Sequence, residues 1–151
     1  MKLRTTILCL AATMAFPVFA QKVVNTDSGL EVRIHEKGKG KKIPVGAEVE
    51  VHYTGYLTDS TKFDSSYDRG TPFKFTVGKG QVIKGWDEGL QLLKEGSKAS
   101  LIIPSQLGYG ERGAGNGKIP ANADLIFDIE VVSVALPPDP PKAFKTKGKD
   151  T

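Results

Sequence analysis

The segment Glu48-Val-Glu-Val-His-Tyr-Thr-Gly-Tyr-Leu57 alternates between apolar and polar side chains along most of its length. In an extended chain, Val49, Val51 and Tyr53 would point to one side and the polar residues between them to the other. This period of two predicts a β-strand with one buried face and one solvated face. Such a strand is typical of an antiparallel sheet, because parallel sheets are usually covered on both faces.

The same alternation recurs on both sides of that segment. It predicts further strands near residues 30–35, 73–77 and 99–103, and a long final strand over residues 125–131. Turn-rich stretches separate these strands, and no segment of the chain repeats another. Many strands combined with one helix predict an α+β domain built on an antiparallel sheet.

Only one stretch has helical periodicity. Three large apolar residues would share a face of this helix: Trp86, Leu90 and Leu93. Asp87 and Glu88 lie in its first turn, where the helix dipole favours negative charge. We expect the helix to end at Lys94, with Gly96 as a left-handed cap. A helix this short covers only part of a sheet, so an open pocket should remain beside it.

The first twenty residues have the pattern of a secretory signal. Lys2 and Arg4 precede a short apolar run, and the small residue Ala20 precedes the expected mature start at Gln21. The run is too short to span a membrane, so we expect no membrane attachment after cleavage. The C-terminus has no lumenal retention signal, which favours a periplasmic or secreted protein over one of a secretory lumen.

The mature chain would divide into three parts. Residues 21–29 are predicted to form an N-terminal arm, residues 30–136 a single domain, and residues 137–151 a disordered tail rich in Pro and Lys. The sole cysteine, Cys9, lies in the signal, so the mature chain should contain no disulfide. The net charge of +4 falls to +2 when Lys2 and Arg4 are removed, which is too small to indicate nucleic-acid binding.

Motifs for dinucleotide, phosphate and metal binding are incomplete in this sequence. The glycines of Gly108-Tyr-Gly-Glu-Arg-Gly113 have a dinucleotide-binding spacing, but no helix can begin cleanly after them. Gly117-Lys118 lacks the first glycine and the hydroxyl of a phosphate loop. His35 and His52 lie on the polar faces of strands without cysteine or histidine partners, so we expect neither a metal nor a cofactor.

Three groups of motifs, in order along the chain, carry a family resemblance. They are Val51-His-Tyr-Thr-Gly55 with Lys62-Phe-Asp-Ser-Ser66; Pro72-Phe-Lys-Phe75 with Val77-Gly-Lys-Gly-Gln-Val-Ile-Lys-Gly-Trp-Asp-Glu-Gly89; and Leu107-Gly-Tyr-Gly110 with Ile119-Pro-Ala-Asn-Ala123 and Leu125-Ile-Phe-Asp-Ile-Glu130. Together they closely resemble the FKBP-type peptidyl-prolyl cis-trans isomerases, or rotamases, over roughly residues 30–134.

The resemblance implies a fold and a site. The fold would be a twisted antiparallel half-barrel wrapped around one short helix, with the active pocket between the helix and the concave face of the sheet. By motif, six residues would be catalytic: Tyr53, Asp64, Ile83, Trp86, Tyr109 and Phe127. Five more would bind substrate: Phe63, Arg69, Phe73, Val82 and Ile119.

The resemblance also implies a role for several of these residues. Trp86 would form a platform under the proline ring, while the backbone N–H of Ile83 and the hydroxyl of Tyr109 hold substrate carbonyls. Asp64 would lie near the rotating carbonyl, held in place by Tyr53 and Arg69. Rotation about an X-Pro bond forms and breaks no covalent bond, so the lack of a nucleophile motif is no objection.

The expected partners are proline-containing proteins that are unfolded or partly folded, with macrolides such as tacrolimus and rapamycin as inhibitors. We expect a monomer that assists the folding of exported proteins. Two alternatives use the same pocket: a binding module without catalysis, and a general chaperone.

The sequence departs from the family at the pocket rim, where the loop of residues 110–118 is glycine-rich and Lys118 replaces a commonly apolar residue.

Overall fold

Seven strands form one antiparallel sheet within residues 21–140, the part of the chain that the computed structural model describes. The predicted signal peptide and residues 141–151 of the predicted tail lie outside the described residues. The strands are β1 (Lys22–Asn25), β2 (Glu31–Glu36), β3 (Glu48–Leu57), β4 (Lys62–Ser65), β5 (Phe73–Thr76), β6 (Lys98–Ile103) and β7 (Leu125–Ala135). Their order across the sheet is β1-β2-β6-β7-β3-β4, and β5 also pairs with β3.

The strand that predicts the fold, β3, occupies a central position. One edge pairs with β7 along its whole length, from Glu48 opposite Ala135 to Leu57 opposite Leu125. The other edge is shared, because β5 pairs with residues 48–51 and β4 with residues 54–56. Tyr53 therefore lies at the gap between β4 and β5, on the buried face that the alternation predicted.

A single helix packs against the buried face, as expected. Helix α2 (Lys84–Gly89) continues into one 3₁₀ turn at Leu90–Leu92. Trp86, Leu90 and Leu93 are all at most 4% exposed, which confirms that all three face the core, although Leu93 lies just past the helical residues. A Cβ on Gly85 would come within 2.6 Å of the Ile103 side chain, so glycine lets the helix lie close to β6.

The predicted end of the helix is wrong. Leu93 is already extended (φ −105°, ψ 178°), and Gly96 lies beyond the helix in a turn, although its φ is +84°. Lys94 forms an isolated bridge with Lys42, and its N–H donates to the Ser97 hydroxyl at 3.0 Å. The backbone groups that would have continued the helix are thus used by the neighbouring loop.

The structure adds three short elements that the alternation did not reveal. Strands β1 and β4 extend the two ends of the sheet, and helix α1 (Ser66–Arg69) follows β4 directly. The Ser65 hydroxyl caps α1 by accepting the N–H of Tyr67, and Gly70 ends it with a φ of +71°. The ring of His52 stacks on that of Tyr67 at 4.5 Å, so this histidine helps to hold α1 against the outer face of the sheet.

The predicted fold class is confirmed: an open antiparallel sheet wraps around one short helix, with a core of aliphatic and aromatic side chains between them. No helix among the described residues is long and apolar enough to cross a membrane.

Candidate active site

A cavity of about 410 Å³ opens at the gap in the sheet, beside α2. Ten of the eleven site residues expected from the sequence line it: Tyr53, Phe63, Asp64, Phe73, Val82, Ile83, Trp86, Tyr109, Ile119 and Phe127. The eleventh, Arg69, does not line the cavity but contacts two residues that do. The ten lining side chains come from six segments that are separate in sequence, and the fold brings them together.

Each wall of the cavity comes from a different element. Strands β3, β4, β5 and β7 supply the aromatic and acidic side chains on one side, and the start of α2 supplies Trp86. The loop between β6 and β7 forms the rim through Tyr109 and Ile119. This loop doubles back at Gly113, where a Cβ would lie 2.3 Å from the carbonyl oxygen of Ile119. Only glycine can make that close approach.

The indole of Trp86 forms the floor of the cavity within a cluster of rings. Its centroid lies 4.9 Å from that of Tyr53 and 5.2 Å from that of Phe127, and both rings stand nearly perpendicular to it. Phe73 and Phe75 complete the cluster at 6.1 and 5.7 Å. The buried Nε1 of Trp86 has no hydrogen-bond partner within residues 21–140. Edge-to-face ring packing therefore holds the indole in place.

Gly55 makes room for two of the rings. A Cβ at this position would come within 2.5 Å of Phe63 and 2.8 Å of Phe127. The two phenylalanine rings meet edge to face at 5.5 Å directly over the strand. The glycine of the Val51–Gly55 motif thus has a packing role in the cavity wall.

Among the described residues, Asp64 is the one carboxylate that lines the cavity, and two neighbours hold it. The hydroxyl of Tyr53 donates to its Oδ2, and Nη1 of Arg69 lies 2.6 Å from its Oδ1. Nη2 of Arg69 also donates to the Tyr53 hydroxyl at 2.8 Å, which closes a ring of three side chains. Partial burial opposes ionisation of Asp64, but these hydrogen bonds outweigh it and lower the pKa of the carboxyl below its ordinary value.

The two tyrosines of the cavity remain protonated at neutral pH. Burial and the hydrogen bond to Asp64 raise the pKa of Tyr53 above its ordinary value. Burial and the negative charge of Asp64 likewise raise the pKa of Tyr109. Both hydroxyls therefore keep their protons under physiological conditions. Tyr53 donates its proton to Asp64, which leaves the Tyr109 hydroxyl as the tyrosine donor for a ligand.

Two donors at the cavity have no acceptor within the described part of the chain. The hydroxyl of Tyr109, whose side chain is 39% exposed, makes no hydrogen bond there. The backbone N–H of Ile83, the residue that precedes α2, also lacks an acceptor among these residues. An apolar cavity with two unpaired donors at its edge suits a ligand that has an apolar centre and exposed carbonyl groups.

Three lining residues were missed by the sequence analysis: Gln81, Ala114 and Gly115. Gln81 lies inside a motif that was recognised, but its amide Oε1 accepts the N–H of Thr76, which makes it a turn residue as well. Ala114 and Gly115 belong to an aperiodic loop, where no pattern predicts which side chains turn inwards. Lys118, expected at the rim, does line the cavity.

Within residues 21–140 there is no group of three or more His, Cys, Asp or Glu side chains arranged to hold a metal ion. The cavity itself offers apolar walls, hydrogen-bond donors at its edge and the carboxylate of Asp64.

The chain is similar in sequence to a known family and to several characterised proteins. A family model described as FKBP-type peptidyl-prolyl cis-trans isomerase matches residues 39–132. The FK506-binding protein of Neisseria meningitidis serogroup A is 57% identical over 99 residues, which make up 66% of this chain and 90% of that protein. The FKBP-type peptidyl-prolyl cis-trans isomerase FkpA of Aeromonas hydrophila is 51% identical over 115 residues, or 76% of this chain and 41% of FkpA.

A solved structure agrees in fold as well as in sequence. The crystal structure of FkpA from Escherichia coli matches with a TM-score of 0.70 and 40% identity, over 77% of this chain and 53% of that chain. The matched family model spans more than half of the present chain, including β3, α2 and most of β7. The chain therefore belongs to the FKBP-type peptidyl-prolyl cis-trans isomerases.

Proposed function

We propose that the chain accelerates X-Pro rotation in exported proteins as they fold, and that rotation takes place in the cavity floored by Trp86. The observation that carries this proposal is the combination of an aromatic cavity with unpaired donors at Ile83 and Tyr109. A prolyl ring is apolar, and the carbonyls on either side of it are strong acceptors. The two properties of the cavity match the two properties of the substrate.

The physical basis is a difference in polarity between the ground state and the transition state. A planar peptide bond is dipolar because resonance moves charge from nitrogen to oxygen, and this resonance gives a barrier of about 18–20 kcal/mol. Twisting removes the resonance, so the transition state is less polar and is favoured by apolar walls. A thousandfold acceleration requires about 4 kcal/mol of differential stabilisation. Desolvation combined with one or two oriented hydrogen bonds is of that size.

Within this proposal, each residue has a distinct role. Trp86 supports the proline ring, and the Ile83 N–H and Tyr109 hydroxyl donate to substrate carbonyls. Asp64 faces the carbonyl that rotates, and Arg69 positions Asp64 from outside the cavity. The remaining apolar residues form the walls: Phe63, Phe73, Val82, Ile119 and Phe127. No step forms a covalent intermediate.

The wider assignments are part of the same proposal. The family relatives named for FK506 support macrolide binding in this cavity, and tacrolimus and rapamycin would then inhibit by occupying it. The pattern of residues 1–20 supports export, with activity as a monomer in the periplasm or outside the cell.

Refolding of a protein limited by proline isomerisation tests the proposal. Substoichiometric amounts of the chain should accelerate the slow phase in proportion to its concentration. The Tyr109→Phe variant should lower kcat/KM about twofold to tenfold, because it loses one hydrogen bond to the substrate. The matched control is Tyr67→Phe, since that hydroxyl donates to Glu130 on the outer face. Its kcat/KM should equal that of the wild type.

Two results would count against the proposal. A slow phase that is unchanged at any concentration would favour a binding module over a catalyst. Equal losses of kcat/KM in the Tyr109 and Tyr67 variants would show that catalysis does not take place in the cavity.

A further inference from the structure

Lys118 carries a charge at the cavity that no other described residue neutralises. It lies at the rim, exposed, just before Ile119. Within residues 21–140 its ammonium group has no carboxylate partner within salt-bridge distance. Its aliphatic stem passes close to Gly115, where a Cβ would lie 3.3 Å from that of Lys118. The glycine thus leaves space for the stem at the edge of the cavity.

The other charges of the cavity are already compensated. Asp64 is the only acidic residue within residues 21–140 that lines it, and Arg69 approaches that carboxylate to 2.6 Å. Glu111 and Arg112 lie on the same loop as Lys118, but they have opposite charges and neither lines the cavity. Lys118 therefore leaves the rim with a net positive charge.

We propose that Lys118 determines specificity, favouring prolines that have an acidic residue immediately before or after them. This inference rests on the proposed function, because it describes the substrates of the same cavity. With the proline ring on the floor of the cavity, the residues on either side of it would leave the cavity past its rim, which Lys118 helps to line. A carboxylate there gains an attraction to Lys118, and Arg69 shields it from Asp64.

The effect is expected to be modest, because the rim is in contact with water. Exposed ion pairs of this kind change an equilibrium or a rate by about twofold to fivefold. The preference should weaken as salt is added, since about 0.5 M salt screens charges over only a few ångströms. Selectivity of this size would bias the choice among many proline sites without excluding neutral ones.

The test compares isosteric peptides in wild-type and variant proteins. The probes are Ac-Ala-Xaa-Pro-Ala-NH₂ and Ac-Ala-Ala-Pro-Xaa-NH₂, with Glu or Gln at Xaa, and the readout is kcat/KM from NMR exchange. The ratio of Glu to Gln peptide cancels any effect of a variant on turnover itself. From wild type to Lys118→Gln, this ratio should fall about twofold to fivefold for at least one of the two peptide pairs.

Three comparisons make the test specific. Lys118→Glu should lower the ratio of Glu to Gln peptide below that of Lys118→Gln, and Lys118→Arg should preserve the wild-type ratio. Lys39→Gln makes the same change of charge in an exposed loop that does not line the cavity, and it should leave the ratio unchanged. In the wild type alone, added salt should reduce the ratio.

The outcomes separate this inference from the proposed function. If the Gln peptides are turned over, but the ratio of Glu to Gln peptide is identical in the wild type and in Lys118→Gln for both pairs, only the role of Lys118 is overturned. A ratio that falls equally in Lys39→Gln also overturns it, because the effect would then follow from net charge. Lack of turnover for every peptide overturns the proposed function and this inference with it.

Discussion

At the scale of single residues, the site depends on how Asp64 is held. Its carboxylate would be a mobile surface group without Arg69 and Tyr53, which contact it from α1 and β3. Arg69 lines no part of the cavity, yet it bonds to both residues and so fixes the position of the carboxylate at the cavity. The sequence motif predicted that these three residues act together, and the structure supplies the geometry.

The lowered pKa of Asp64 leads to a prediction about pH. A carboxyl with a folded pKa below the ordinary 3.8 stays ionised at that pH, and the stability it contributes is lost only as the pH falls through the folded value. Replacing Arg69 with Gln removes one of the hydrogen bonds and a positive charge, so the pKa of Asp64 should rise. Carbon-13 NMR titration of the side-chain carboxyl measures this pKa directly.

Asp59 provides the internal control for that titration. Its pKa is lowered by hydrogen bonds to Thr61, which Arg69 does not contact. The same spectra should therefore show an unchanged Asp59 in Arg69→Gln. A variant in which Asp64 also titrates as in the wild type would show that Arg69 does not position the carboxylate electrostatically.

At the scale of elements, periodicity predicted the long strands and the buried face of the helix, but not the helix end or the short elements. Strand β4 contains a single apolar residue, Phe63, and helix α1 is little more than one turn long, so neither shows a period. The early end of α2 depends on contacts between Lys94, Lys42 and Ser97, which are distant in sequence or local to a turn. Tertiary hydrogen bonds of this kind override local helical preference.

The cavity was predictable for a different reason. Its aromatic residues fall on faces that periodicity alone assigns to a core. The shortness of the helix predicted an opening beside it, and the family motifs indicated which residues line that opening. Gln81, Ala114 and Gly115 were missed because the cavity rim is formed by turns and loops. In such segments, the direction of a side chain depends on backbone angles that no pattern of polarity encodes.

The role of Gly55 in β3 can be tested by substitution. Gly55→Ala should destabilise the fold by about 1–3 kcal/mol, because the new Cβ would overlap Phe63 and Phe127. It should also weaken peptide binding, because both rings line the cavity. Urea unfolding and peptide titration measure the two effects.

Gly29→Ala is the matched control, since it lies in the turn before β2 with a φ of +93° and ordinary contact distances. It should cost about 1–2 kcal/mol of backbone strain and leave the affinity for peptide unchanged. If Gly55→Ala lost stability but kept full affinity, the glycine would matter for packing and not for the site.

At the scale of the whole molecule, one small domain combines the aromatic cavity with terminal segments of different composition. The domain supplies the isomerase family's fold, whereas residues 1–20 carry the pattern that predicts export. If export occurs, the mature protein recovered outside the cytoplasm should begin at Gln21. Intact-mass spectrometry of the secreted or periplasmic fraction decides this, and a mass that retains residues 1–20 would rule out the predicted cleavage.

The central claim is that the cavity itself lowers the barrier to prolyl rotation, and exchange NMR of Ac-Ala-Leu-Pro-Phe-NH₂ tests it most directly. Unaided, the two isomers interconvert over tens to hundreds of seconds. A catalytic amount of the protein should shorten this time by about a thousandfold, and tacrolimus bound over Trp86 should restore the unaided rate. Acceleration that persists while tacrolimus fills the cavity, or no acceleration at any protein concentration, would contradict the account.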